Sequence, residues 1–114
     1  MIAVIFEVLP HPDRKATYLD IAAEMRPMVE AVPGFISVER FQSLTQPDKL
    51  LSLSFFEDEA AIARWRSLAA HRRAQAKGRG GIFRDYRLRI AAVHRDYGMF
   101  DRLDAPDDSR AAHG

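Results

Sequence analysis

The sequence predicts an α+β domain whose elements run β-α-β-β-α-β, on three observations. Apolar or alternating runs rich in β-branched and aromatic residues open the chain and recur at 35–43, 50–56 and 85–97. Two stretches between them carry apolar residues at helical spacing, with charges interleaved. Pro and Gly fall at the junctions, where chain direction has to change.

The first strand is read from Ile2 to Leu9, closed by Pro10 and Pro12. Its two faces are both apolar: Ile2, Val4, Phe6 and Val8 point one way, and Ala3, Ile5 and Leu9 the other, with Glu7 among them. Asp13 is the expected N-cap of the first helix, whose buried stripe is Tyr18, Ile21, Ala22, Met25, Val29 and Val32. Pro27 is expected to kink or restart that helix near Arg26, and Pro33-Gly34 ends it. Residues 35–43 and 50–56 read as an antiparallel hairpin across the Pro47-Asp48 turn. The second helix spans "EDEAAIARWRSLAAHRRAQAKG", capped by Asp58 and stopped at Gly78. "GRGG" is expected to be a flexible loop, 85–97 the last strand, and 98–114 a polar tail, disordered or draped over a neighbour. This is the ferredoxin-like order: an antiparallel four-stranded sheet with both helices on one face. The domain is thus 1–97, with the tail beyond it. Because strand 1 is apolar on both sides, the second sheet face needs cover, most simply from the same face of a second copy.

Composition narrows the function classes. The 17 basic and 16 acidic side chains leave the 114-residue chain near neutral, which gives no general attraction to nucleic acid or to an anionic membrane. Without cysteine there is no disulfide, thiolate nucleophile or thiolate metal site. The apolar start lacks a basic leader and reaches Glu7 and Pro10 too early for a signal peptide or a span, so the expected location is cytoplasmic. "KGRGG" follows a helix instead of opening one and lacks the phosphate-loop pattern. "HRRAQAKGR" is a basic run suited to a helix C-terminus.

The element order, the "VPGF" turn into strand 2, the "FFEDEAAIARW" run into helix 2 and the following "AHRRAQAKGRGGIFRDYRLRIAAV" resemble the antibiotic biosynthesis monooxygenase family of dimeric α+β barrels. The resemblance implies a homodimer joined through its sheet faces, with a small-molecule cavity between sheet and helices in each protomer. It also implies activities ranging from oxidation of polyphenols to quinones by O2, without metal or flavin, to haem degradation. In quinone-forming members a helix-2 Trp and a polar aromatic residue downstream belong to the site. Trp65 matches the first, and His71 stands where the second is expected. The haem-degrading pattern requires an Asn on strand 1, and this chain has no Asn at all.

The residues themselves leave alternatives open. Trp65 with Ala61, Ile62, Leu68 and Ala69 forms an apolar stripe that serves either a core or a cavity wall. His71 follows Trp65 by six residues, which on an unbroken helix places it roughly 120° around the axis. The two converge only if the helix breaks near Ser67 to Ala70, with Ser67 capping a second segment. A near-neutral pKa would suit His71 to take a phenolic proton; without a partner at i+3 or i+4 it is a poor metal ligand. Arg87 and Arg89 share one face of strand 4, and Arg87 is the expected group to steady an oxyanion at a cavity mouth.

The expected site therefore has His71 and Arg87 as catalytic groups and Trp65, Phe6, Phe55 and Tyr86 as substrate-binding residues, with no metal and no cofactor. The expected activity is oxygenation of a small aromatic molecule; the alternative is a non-catalytic binding or dimerisation module whose cavity is filled by its own side chains.

Overall fold

In the computed structural model, β1 (Ile2–Pro10) lies inside a four-stranded sheet of order β2-β3-β1-β4, with β2 at Phe35–Gln42, β3 at Leu50–Phe56 and β4 at Phe83–Ala92. The model describes the backbone of residues 1–114 and the side-chain surroundings of all but Ala69, Ala70 and Gly78. Every pairing is antiparallel, which is the ferredoxin-like arrangement the element order predicts. The helices are α1 (Lys15–Glu30), α2 (Glu59–Arg66), α3 (Ala69–Lys77) and a short C-terminal α4 (Asp107–His113). None of the described helices is long and apolar enough to cross a membrane.

Several boundaries differ from expectation for local reasons. Asp13 does not cap α1; it sits in a 3-10 turn, Pro12–Arg14, and α1 starts at Lys15 with no side-chain cap. α1 continues through Pro27 as one helix, burying Tyr18, Ala22 and Val29 as the stripe requires. β4 ends at Ala92, not Tyr97: Ala92 pairs with Ile2, and Val93 N–H donates to the Met1 carbonyl at 3.0 Å. The expected flexible "GRGG" is instead one π-helical turn, Gly78–Ile82, broken at Gly81 with φ +126°. The tail is also structured. Arg102 donates to the carbonyls of Gly98 and Gly114 and to the Ser109 hydroxyl, tying the turn before α4 to its end.

Two clusters hold the helices to the sheet. At one end Val8, Tyr18, Leu50 and Ile82 pack with Phe6, Ile21 and Phe83. At the other, Val29, Phe56 and Ala61 pack with Val4, Phe35, Val38, Ile62 and Trp65. The opposite sheet face carries Ala3, Ile5, Leu51, Leu53 and Phe55, since alternate residues face opposite ways. Glu7 on that face accepts from Lys49 at 3.0 Å and Arg89 at 2.6 Å, and these two cations hold its carboxyl below the usual range.

The "VPGF" turn is fixed by Gly34. Its φ is +90°, its carbonyl accepts from Glu57 N–H at 2.7 Å, and a Cβ there would sit 2.7 Å from the Ala61 Cβ. Ala61 is fully buried, so it cannot give way. Gly34→Ala is expected to lower stability by about 2 kcal/mol or more, from left-handed backbone strain and overpacking together. A urea titration checks this; an unchanged midpoint would contradict it.

Candidate active site

Between the two clusters the sheet and helices leave a cavity of about 480 Å³. Its floor can be read from the register. One row across the sheet is Arg40, Ser52, Phe6 and Leu88, and the next is Val38, Ser54, Val4 and Ile90. Floor residues on β3 and on β4 past its register shift at Leu9/Pro10 are even-numbered, Ser52, Ser54 and Phe56, then Tyr86, Leu88 and Ile90, while Phe83 lines the cavity from before that shift. An aromatic group closes one side, with Phe6 against Phe83 and Tyr86 at ring separations of 5.8 and 5.6 Å, and Tyr18 against Phe83 at 5.5 Å.

The roof comes from helices, and its geometry depends on a break. Asp58 starts α2 as the sequence predicts, its carboxylate accepting from Ala61 N–H at 2.9 Å. The helix stops at Arg66, and the Ser67 that follows donates both its N–H, at 3.0 Å, and its hydroxyl, at 2.7 Å, to the Ala63 carbonyl. Such back-bonding loosens and bends a helix locally. The expected capping of the second segment by Ser67 falls on Ala69 and Ala70, outside the described side chains, and a backbone bond at the start of that segment runs from Arg72 N–H to the Leu68 carbonyl at 3.1 Å. The break removes the 120° offset of a continuous helix. Trp65 and His71 meet edge to face, 4.6 Å between ring centroids and 83° between planes, and both line the cavity. Ile62 of the Trp65 stripe also lines it, Leu68 is partly exposed, and Ala69 lies outside the described side chains.

His71 is half-buried, and its Nδ1 is shut off from solvent with no hydrogen-bond partner. Burial lowers its pKa below the ordinary 6.5, and the charges of Arg66 and Arg72 lower it further. At neutral pH it is therefore an uncharged imidazole able to accept a proton. The folded protein binds fewer protons at this residue than the unfolded chain does, so its share of stability is present above pH 6.5 and is lost as pH falls through the depressed value. If His71 acts as a base, the acidic limb of the rate profile is expected below pH 6.5, and Arg66→Gln is expected to move it upward. A limb at or above 6.5 in the native chain would contradict this.

Of the residues singled out from sequence, Trp65, His71, Phe6 and Tyr86 come together in the cavity. Phe55 and Arg87 do not: both are odd-numbered on their strands and belong to the open face, where Phe55 pairs with Ala3 and Arg87 with Glu7. The cavity's cations are others, Arg40 from β2, Arg66 from the end of α2, and Arg79, whose guanidinium donates to the Tyr86 hydroxyl at 3.1 Å. Arg66 and Arg79 carried no sequence signal beyond helix-end charge. Arg40 stands out in the sequence, with Glu39, only as a charge in a strand position, for which a solvated edge or rim is the default; its register beside Ser52 puts it in the cavity. Among the described residues no cluster of three or more His, Asp or Glu is placed to hold a metal ion.

A sheet of this order, with helices on one face and a walled cavity beneath them, defines an α+β domain of the ferredoxin-like kind. The family model described as antibiotic biosynthesis monooxygenase matches residues 1–77, and the chain belongs to that family. A curated relative, jasmonate monooxygenase ABM of Pyricularia oryzae, is 48% identical over 93 residues, which is 82% of this chain and 43% of that protein. The chain thus spans less than half of that relative's length. The uncharacterised protein YqjZ of Bacillus subtilis is 31% identical over 82% of this chain and 79% of its own. Among solved structures, Rv0793 of Mycobacterium tuberculosis superposes with a TM-score of 0.76 at 18% identity, over 85% of this chain and 98% of that one. At that identity the likeness is one of fold.

Proposed function

We propose that the chain is a monooxygenase of a small aromatic molecule, using the electrons of its substrate to reduce O2 with no metal or flavin. The observation that carries this reading is the Trp65–His71 pair, brought together by the helix break over an open cavity with His71 held neutral. Family membership and the monooxygenase named among the relatives support it. For a phenol, His71 takes the hydroxyl proton and the phenolate donates electrons to O2 from a ring carbon, forming a C–O bond. The peroxide so formed takes up the proton. Loss of the ring hydrogen as a proton and cleavage of the O–O bond then give a quinone and water. One phenol and one O2 thus yield one quinone and one water. Trp65 and the aromatic side of the cavity hold the ring, and Arg79 with the Tyr86 hydroxyl replaces Arg87 as the group placed to steady an oxyanion.

The open sheet face, apolar at Ile5, Leu51, Leu53 and Phe55, supports assembly as a homodimer. The alternative reading is a non-catalytic small-molecule-binding or dimerisation module; the open cavity beside Trp65 speaks against a module whose cavity its own side chains fill, and oxygen uptake separates an enzyme from a small-molecule binder. Oxygen uptake against simple phenols, with the native chain beside Trp65→Phe and His71→Phe, tests the proposal. Equal rates in all three would remove both residues from the chemistry.

A further inference from the structure

The cavity floor is divided. On the β2–β3 side it presents Arg40, Ser52 and Ser54, and on the β1–β4 side Val4, Phe6, Leu88 and Ile90. The polar side has an unmet demand. The Nε of Arg40 is shut off from solvent with no hydrogen-bond partner, and none of the ion pairs among the described residues involves Arg40. A buried donor left unmatched is destabilising, more so when it carries charge, so an acceptor arriving there recovers that cost. The demand is for an anion. The described lining includes three arginines, Arg40, Arg66 and Arg79, and no aspartate or glutamate. The planar guanidinium suits a carboxylate or sulfonate, and the register puts Ser52 directly beside Arg40, where its hydroxyl adds a second donor.

We infer that Arg40 is the anion anchor of this cavity, which takes an amphipathic organic acid lying across the sheet, its anionic group on Arg40 and Ser52 and its apolar body over Phe6 and Leu88. This rests on the cavity being the substrate site. It narrows the substrate class from a small aromatic molecule to one that also carries an acidic group away from the ring that reacts.

The test uses two fluorescent probes sharing one aromatic body, 8-anilinonaphthalene-1-sulfonate and the uncharged N-phenyl-1-naphthylamine. Trp65 is the chain's only tryptophan, so energy transfer from it reports a bound probe, and the part of that signal lost in Arg40→Gln is assigned to this cavity. The native chain is expected to bind the sulfonate at least tenfold tighter than the neutral probe. Arg40→Gln is expected to weaken the sulfonate at least tenfold and the neutral probe less than twofold, with Arg40→Lys in between.

Equal affinities of the two probes for the native chain would overturn the inference whether or not any variant folds. Unchanged sulfonate binding in Arg40→Gln would overturn it as well. Oxygen uptake by the native chain is read separately. Anion binding without uptake would sink the monooxygenase reading and leave the anchor standing, and uptake without anion preference would do the reverse.

Discussion

His71→Phe is expected to cut the rate of oxygen uptake by about 10²–10⁴, the usual contribution of a positioned general base. Phenylalanine keeps an aromatic ring against Trp65, which His71 meets edge to face at 4.6 Å, so packing over the break is retained while the proton acceptor is removed. The loss should fall on kcat more than on KM, because the ring-binding surfaces of Phe6, Tyr86 and Trp65 remain. The acidic limb that His71 sets should also vanish from the residual activity. A variant that keeps the native rate, or the native limb, would show that another group or water takes the proton.

Phe56→Ala is expected to destabilise the fold by about 3–5 kcal/mol, the range for truncating a buried phenylalanine. Phe56 is 1% exposed, packs with Val29 and Ala61, and meets Phe35 edge to face at 5.6 Å. It joins the end of β3, α1, α2 and the start of β2 in one contact group, so no single neighbour can move in to fill the space. Because Phe56 also walls the cavity, its removal should enlarge the site as well as loosen the fold. Denaturant unfolding checks the magnitude, and a loss under about 1 kcal/mol would mean that the site collapses around the missing ring.

The element order and the α1 stripe were legible because periodicity survives in single sequences: Tyr18, Ala22 and Val29 are buried as their spacing requires. The Trp65–His71 pairing was legible only as a condition. Propensity does not place a break inside an Ala- and Arg-rich run, and a serine bonds back to an i−4 carbonyl, as Ser67 does to Ala63, inside helices as well as at their ends. The sheet faces were harder. With β1 apolar on both sides, nothing local says which face the helices cover, so Phe6 and Phe55, now on opposite faces, had equal claims. One error was avoidable: Tyr86 and Arg87 are neighbours on a strand and cannot both face one cavity. Arg40 reads from sequence as a strand charge on a solvated rim, because charges are rarely buried unless paired; only the pairing with Ser52 puts it beneath the helices.

Turnover of a simple phenol under ¹⁸O2 by the native chain, with uptake and product mass followed together, tests the central claim most directly. The account predicts one O2 consumed per quinone formed, one labelled oxygen in each quinone, and a rate that collapses in His71→Phe. Quinone without label, or the same labelled yield in His71→Phe, would contradict it.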